Sequence, residues 1–88
     1  MSNMKDYFNV DNNSLGHYIY YTSKGPLHGD YNIARLLKIP YIQYVKELEK
    51  FGAKLAYCNH YFKSSKKAKQ CCDYLNEKYG VLIKLKGV

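Results

Sequence analysis

Lysine and serine side chains are concentrated in one short segment of the sequence, at residues 63–69. A helix that starts here would bring free backbone N–H groups, serine hydroxyls and several ammonium groups together, and this combination can hold a phosphate. Without a bound anion, each positive charge at a helix N-terminus costs about 0.3 to 1 kcal/mol. The alternative is a solvated, lysine-rich helix start. The residues assigned to this candidate site are Lys63, Ser64, Ser65, Lys66, Lys67 and Lys69.

Three cysteines and a nearby histidine raise the question of a zinc site. Cys58 and His60 are separated by one residue, and Cys71 and Cys72 are adjacent. Zinc sites commonly contain a C-x-x-C pair, and neighbours on a helix point about 100° apart, so this spacing disfavours zinc. Cys71 and Cys72 both fall on the apolar face of a predicted helix, which indicates buried thiols. We predict no metal and no cofactor.

The same residues give little reason to expect catalysis. A catalytic thiol needs a lowered pKa, and Cys58 beside His60 is the only arrangement of that kind in the sequence. Paired carboxylates for acid–base chemistry are also missing, because the candidates fall at helix caps or on solvent-facing sides of helices. These candidates are Asp30, Glu47, Glu49, Asp73 and Glu77. We expect no enzymatic activity.

The stretch from Asp30 to Lys63 contains the elements around which the chain is organised. Asp30 can cap a first helix over residues 31–37, and Pro40 ends that helix by restricting the residue before it. Apolar residues at i, i+3, i+4, i+7 and i+10 from Tyr41 to Phe51 predict a second helix with a buried stripe. Its opposite, solvated face would carry Gln43, Lys46, Glu47 and Lys50.

A hairpin and two flanking regions complete the prediction. Gly52 fits a C-terminal helix cap, and residues 53–57 and 60–63 can pair around Cys58 and Asn59. Residues 1–15 are polar and predict a flexible N-terminal arm, and residues 16–88 form one domain that opens with a strand at 17–22. A third helix is capped by Ser64 or Ser65, with a buried stripe at Ala68, Cys71, Cys72, Leu75 and Tyr79.

After the third helix, Gly80 is predicted as its cap, and the alternation in residues 81–86 predicts a half-buried strand. The order is β-α-α-β-β-α-β. This order predicts an α+β fold in which a helix-turn-helix and a hairpin pack with a small, mostly antiparallel sheet.

The charge is strongly positive and unevenly distributed. The chain carries a formal net charge of +7, with four basic and three acidic residues in positions 1–45 and ten basic and four acidic residues in positions 46–88. Such a balance favours acidic partners, either nucleic acid or an acidic protein surface. Arg35 is the single arginine among 14 basic residues, so lysines would supply phosphate contacts and few residues would read bases.

The residues from Ile33-Ala-Arg-Leu-Leu-Lys-Ile-Pro40, followed by Val45 and Leu48, resemble a winged helix-turn-helix. That family usually has a small residue where Ala34 stands and prefers glycine where Lys38 stands. The resemblance implies binding to nucleic acid, to DNA rather than RNA, with the second helix as the recognition helix and the hairpin as the wing. The recognition-helix role would fall on Gln43, Lys46, Glu47 and Lys50, with Asn59 and His60 at the wing tip. Arg35 is a further predicted nucleic-acid contact.

A second hypothesis belongs to a different class. The chain is small and rich in tyrosine, and its excess of Lys, Asn, Ile and Tyr is typical of an AT-rich coding sequence. In these general features it is similar to accessory proteins of phages and mobile elements, including inhibitors of host defence such as anti-CRISPR proteins. Such a protein would bind a host protein without catalysis. In either case we expect a cytoplasmic location, since the sequence contains no membrane span and no apolar signal segment. Because a chain of this size buries only a small core, self-association into a homodimer is a further expectation.

Overall fold

A computed structural model describes residues 7–22, 26–27, 29–57 and 59–86. Strand β1 (Phe8–Asn13) pairs antiparallel with β2 (Gly16–Thr22), in a register that sets Phe8 opposite Tyr21 and Asn13 opposite Gly16. The flexible arm predicted over residues 1–15 therefore does not hold for β1. Phe8, one of the few apolar residues of this segment, is fully buried, and its backbone N–H donates to Asn76 Oδ1 at 2.8 Å, whereas residues 1–6 of the predicted arm lie outside the described residues.

Two short strand pairs extend this hairpin. Strand β3 (Pro26–Leu27) pairs with the end of β2, and the sequence analysis did not predict it. Strands β4 (Lys54–Ala56) and β5 (Asn59–Tyr61) form the second antiparallel sheet, at the position of the predicted hairpin. The backbones of His17 and Phe62 exchange two hydrogen bonds, of 2.9 and 2.7 Å, and these bonds join β2 to the end of β5.

The first two helices lie where the sequence predicts them. Helix α1 (Asp30–Leu37) ends at Lys38, which adopts a left-handed conformation with φ of 61°. Pro40 caps helix α2 (Tyr41–Glu49), and Gly52 follows α2 with φ of 92°, a conformation that favours glycine. The predicted stripe of α2 is buried at Tyr44, Val45 and Leu48, whereas Tyr41 is 38% exposed.

Helix α3 (Ser65–Lys86) is longer than predicted. The strand predicted at residues 81–86 is wrong, because the helix continues through Gly80. A glycine inside a helix costs only about 1 kcal/mol relative to alanine, and it ends a helix when it adopts positive φ, which Gly80 does not. Residues 81–86, whose alternating apolar pattern predicted a strand, therefore form the last part of α3.

The helices and the main sheet enclose one core. Its members include the predicted stripe of α3, from Ala68 to Tyr79, and it confirms the α+β class predicted from the sequence. Within the described residues, no helix combines the length and the apolar character needed to cross a membrane. The largest fully buried side chains are Tyr21, Tyr44, Phe8, Phe62, Ile33, Leu48, Leu75 and Cys71.

One core hydroxyl has no hydrogen-bond partner among the described residues. Tyr44 is fully buried, and burial raises the pKa of its hydroxyl well above the usual value, so the group is neutral. Replacing Tyr44 by phenylalanine is expected to raise the free energy of unfolding by about 1 kcal/mol, because the desolvation cost of an unpaired hydroxyl disappears. Urea unfolding measures this change.

The matched control is Tyr79→Phe. The Tyr79 hydroxyl donates to Glu47 Oε2 at 2.9 Å, so its removal is expected to lower the free energy of unfolding by about 1 kcal/mol. Opposite signs for the two variants are the expected result. A Tyr44→Phe protein less stable than the parent would show that the Tyr44 hydroxyl is satisfied.

Candidate nucleic-acid interface

The outer side of α2 and the facing side of α3 form a shallow groove of about 440 Å³. Three lysines and one glutamine supply most of its polar atoms, and one carboxylate lies within it. We call this surface the α2/α3 groove, and its lining residues are Pro40, Ile42, Gln43, Lys46, Glu47, Lys50 and Lys78. The predicted residues Gln43, Lys46 and Lys50 are thus brought together, and Lys78 joins them from a distant part of the sequence.

Glu47 does not lie on the solvated face where the sequence analysis placed it. It is only 3% exposed, because α3 packs over this side of α2. The Tyr74 hydroxyl donates to Glu47 Oε1 at 2.9 Å, and the Lys78 ammonium donates to Oε2. Lys50 Nζ also lies 3.1 Å from Oε1. The sequence pattern does not reveal this arrangement, because a glutamate beside an apolar stripe is normally predicted to be exposed to solvent.

These contacts determine the charge of the α2/α3 groove. Burial opposes ionisation of Glu47, but hydrogen bonds from Lys78, Lys50, Tyr74 and Tyr79 outweigh it and lower the pKa to about 2. The same hydrogen bonds raise the pKa of Lys50 and of Lys78. Glu47 is therefore ionised at neutral pH, and the groove is lined by three lysines and one carboxylate.

Tyr74 holds the two paired lysines in place. The ammonium groups of Lys50 and Lys78 lie 5.3 and 5.6 Å from the centroid of its ring, and both donate to its hydroxyl, at 3.4 and 3.2 Å. Cation–π contacts of this kind restrict lysine side chains that would otherwise be mobile. Sequence reasoning missed Tyr74 and Lys78, and their spacing of four residues beside the apolar stripe of α3 was the one available signal.

The start of α3 agrees with the predicted capping. Ser64 Oγ accepts the backbone N–H of Lys67 at 3.3 Å, and the Ser64 carbonyl accepts that of Ala68 at 3.0 Å. All the lysines assigned to this segment are exposed, and Lys69 Nζ lies 3.8 Å from the carboxylate of Asp73. Exposed pairs of this kind contribute little to stability.

Only part of the segment at residues 63–69 shares one concave surface. Lys63, Ser64 and Lys67 line a second groove of about 320 Å³, between the start of α3 and the β4/β5 hairpin, and Lys54 contributes a third ammonium. Ser65, Lys66 and Lys69 are exposed but do not line it. We call this surface the hairpin groove. Its apolar part includes Leu15, Phe51, Leu55, Ala56, Tyr61 and Phe62.

Two residues predicted at the wing tip have structural contacts instead. His60 is 4% exposed, and its ring Nδ1 lies 2.6 Å from Asp30 Oδ2. Asn59 is half-buried, and its Oδ1 accepts the backbone N–H of Asp30 at 3.1 Å. The prediction that His60 contacts nucleic acid is therefore inconsistent with its burial. At this end of the hairpin, the exposed side chain is Tyr57.

Asp30 joins the hairpin to α1 rather than capping α1 with its side chain. The N-cap of α1 is Gly29, and Asp30 is the buried first residue of the helix. Its Oδ2 accepts the backbone N–H of His60 at 3.0 Å and lies 2.6 Å from the ring Nδ1 of the same residue. Burial raises the pKa of Asp30, and the hydrogen bonds from His60 act in the opposite direction. Local sequence could not reveal a partner 30 positions away.

The remaining predicted residue, Arg35, lies apart from both grooves. It is exposed on α1, and its guanidinium carbon is 6.0 Å from the centroid of the Tyr31 ring. Tyr31 in turn lies 6.0 Å from Tyr41, centroid to centroid. Arg35 therefore belongs to an aromatic surface on α1 and α2.

The cysteines of α3 are buried thiols, as predicted. Cys72 Sγ lies 3.0 Å from the carbonyl oxygen of Phe8, and burial raises the pKa of Cys71 to about 12. The described residues contain no group of three potential metal ligands, and Cys58 lies outside them.

Comparison with known proteins finds no matching family model, no matching curated protein and no matching solved structure. What the grooves can bind therefore follows from their own geometry and charge.

Proposed function

We propose that this protein binds nucleic acid, and DNA rather than RNA, through phosphate contacts along α2 and α3. The observation that carries the proposal is the α2/α3 groove, which is lined by Lys46, Lys50 and Lys78 and in which Lys50 and Lys78 form ion pairs with the buried Glu47. Tyr74 and Glu47 hold Lys50 and Lys78 at the groove, and the Glu47 carboxylate competes with a phosphate for these two ammonium groups, whereas Lys46 has no such pairing with Glu47. Gln43, from the same groove, supplies an amide that can hydrogen bond to a base edge.

Two carboxylates of the helices are buried. Asp30 and Glu47 are not exposed to a polyanion, whereas the exposed carboxylates of α2 and α3 are Glu49, Asp73 and Glu77. Along α3, Lys67 and Lys78 are eleven residues apart, or about 16 Å of helix, which exceeds the separation of successive phosphates along a strand. A backbone that follows this side of the molecule would meet several cations in succession.

The local geometry also agrees with a winged helix-turn-helix reading. Helix α1, a short turn, helix α2 and the β4/β5 hairpin follow one another in that order. Lys38 stands where the family prefers glycine, and it has the positive φ that glycine adopts without strain. In this reading α2 is the recognition helix, and Gln43 and Lys46 are its outward residues near the N-terminal end.

The test uses charge-neutral variants and a labelled DNA duplex. Replacing Lys46 by glutamine is expected to reduce the dependence of log K on log salt by about 0.9, since one phosphate contact is lost. Replacing Lys66, Lys67 and Lys69 together is expected to reduce the slope by up to about three units. Fluorescence anisotropy at a series of salt concentrations measures both effects.

Lys38→Gln is the matched control, because it removes the same charge from a residue that does not line the α2/α3 groove. Its salt slope is expected to equal that of the parent protein. A parent affinity that is unchanged between low and physiological salt would contradict the proposal. If Lys46→Gln weakens binding equally for all DNA sequences, Lys46 contacts phosphates rather than bases.

A second candidate function is supported by a separate surface. Tyr31 and Tyr41 are 59% and 38% exposed and their rings lie 6.0 Å apart, and Arg35 lies over the ring of Tyr31. Exposed aromatic residues beside an arginine are typical of protein interfaces. This surface fits the alternative of an accessory protein of phage type that binds a host protein. Capture of a protein that persists after nuclease treatment of the lysate, and that Tyr31→Ala abolishes, is the result this alternative predicts.

A further inference from the structure

Three tyrosines form a row on the outer face of the joined sheets. Along β2, Ile19 and Tyr21 are buried in the core, so the alternating residues Tyr18 and Tyr20 lie on the opposite face. The ring centroids of Tyr18 and Tyr20 are 6.3 Å apart, and those of Tyr18 and Tyr61 are 5.8 Å apart. All three side chains are half-buried. We call Tyr20, Tyr18 and Tyr61 the tyrosine row.

The backbone fixes this row across the seam between the two sheets. His17 pairs with Phe62 in antiparallel fashion. The residue after His17 therefore lies opposite the residue before Phe62, which places Tyr18 opposite Tyr61. Gly16 permits the close approach, since a Cβ at this position would lie 2.8 Å from the carbonyl oxygen of Phe62, and its φ is 134°. The seam is thus built from backbone contacts, and the row is preorganised.

The row leads directly into the hairpin groove. Tyr61 belongs to both surfaces, and beyond it the groove carries the ammonium groups of Lys54, Lys63 and Lys67 with the hydroxyl of Ser64. None of the described residues that line the groove is acidic, and its floor contains the half-buried ring of Phe51. Aromatic rings in sequence, continued by a cationic groove, are the two components of sites that bind single-stranded nucleic acid.

We propose that the tyrosine row and the hairpin groove bind a single-stranded segment of nucleic acid, with bases stacked on Tyr18 and Tyr61 and phosphates at Lys54, Lys63 and Lys67. This inference rests on the proposed function in that both assign nucleic acid as the partner. It adds a substrate class, because bases in an intact duplex are stacked on each other and cannot reach the rings. The tyrosine row does not overlap the α2/α3 groove, so a duplex and an unpaired segment share Lys67 but differ in their other contacts.

Asp11 sets the direction of the phosphate path. It lies opposite Tyr18 in the β1/β2 register, its side chain is exposed, and its Oδ1 accepts the backbone N–H of Asn12 at 2.8 Å. A carboxylate here repels phosphates beside Tyr18 and favours a path along the lysine side of the row. Replacing Asp11 by asparagine is therefore expected to strengthen single-strand binding without a change at the α2/α3 groove.

The experiment titrates the protein with a deoxythymidine oligonucleotide of about ten nucleotides, within the length that one small domain covers. Tyr18→Leu and Tyr61→Leu are each expected to weaken binding about 5- to 150-fold, because a stacked base contributes about 1 to 3 kcal/mol. Tyr61→Phe keeps the ring and is expected to retain the parent affinity. The chain contains 11 tyrosines and no tryptophan, so stacking on the row is also expected to quench the intrinsic fluorescence.

Tyr31→Leu is the matched control, since it removes an exposed tyrosine from α1, on a different surface. Circular dichroism establishes that each variant is folded. Single-strand binding that is equally strong in the parent, Tyr18→Leu and Tyr61→Leu overturns the inference, even where duplex binding through Lys46 persists. Absence of binding to both the oligonucleotide and a blunt duplex overturns the inference together with the proposed function.

Discussion

Replacing Asp30 by alanine is expected to lower the free energy of unfolding by about 2 to 6 kcal/mol, because two buried groups of His60 lose their partner and each unsatisfied buried group costs about 1 to 3 kcal/mol. Asp30 and His60 are both about 4% exposed, and Asp30 Oδ2 accepts the backbone N–H of His60 and lies 2.6 Å from its ring Nδ1. Without it, the backbone N–H and the ring of His60 remain buried and unpaired. A domain of 88 residues has a total stability near the low end of about 5 to 15 kcal/mol, so the variant is expected to be largely unfolded on mild heating.

Two further variants separate the carboxylate charge from its hydrogen bonds. Asp30→Asn keeps an acceptor oxygen for His60, and its cost is expected to be about 1 to 3 kcal/mol. Asp73→Ala removes an exposed carboxylate that is 3.8 Å from Lys69, and it is expected to change stability by less than about 0.5 kcal/mol. Urea unfolding compares the three. An Asp30→Ala protein as stable as Asp73→Ala would contradict this account of the pair.

Regular elements could be predicted from the sequence because their signals are local. The stripe of α2 at Tyr44, Val45 and Leu48 and that of α3 at Ala68 and Leu75 are all buried. The turn between α1 and α2 also followed from one residue, because Pro40 cannot continue the first helix.

The structural errors of the sequence analysis involve residues whose contacts are distant or ambiguous. The backbone N–H of Phe8 is bound by Asn76, 68 positions away, and the polar residues around Phe8 predicted a flexible arm because this contact is not visible in the local sequence. Gly80 was predicted to cap the third helix, but a glycine ends a helix only when it adopts a positive φ, which the sequence does not show. His60 read as a wing-tip residue because nothing near it in the sequence reveals Asp30 as its partner.

The candidate site was predicted in part for the same reason. Gln43, Lys46 and Lys50 follow from the periodicity of one helix, and they share the α2/α3 groove. Lys78 enters that groove through a contact with Glu47 across 31 positions, which periodicity cannot show. The tyrosine row depends on the pairing of His17 with Phe62, and strand pairing across 45 positions is not specified by local pattern.

Glu47 is expected to make stability depend on pH in the acid range. Its pKa is lowered from 4.5 in the unfolded chain to about 2 in the folded protein. A carboxyl group with a depressed folded pKa stabilises the fold fully above the unfolded pKa, and this contribution is lost as the pH falls from 4.5 toward 2. The shift corresponds to at most about 3 kcal/mol. Urea unfolding at a series of pH values measures the loss, and the part due to Glu47 is expected to disappear in Glu47→Gln.

The same substitution is expected to act in the opposite direction on nucleic-acid binding. Glutamine removes the single carboxylate of the α2/α3 groove and releases the ammonium groups of Lys50 and Lys78, which then contact phosphates without competition. Glu47→Gln is therefore expected to be less stable than the parent but to bind a DNA duplex more tightly, with a steeper salt dependence.

Glu77→Gln distinguishes the effect of the groove from that of net charge. Glu77 is exposed on α3 and does not line the α2/α3 groove, so its replacement changes the net charge of the protein by the same amount. If long-range attraction alone governs affinity, the two variants bind DNA equally. If the lysines held by Glu47 contact the phosphates, only Glu47→Gln shows a salt slope that is larger than the parent value by up to about two units, one for each released ammonium group.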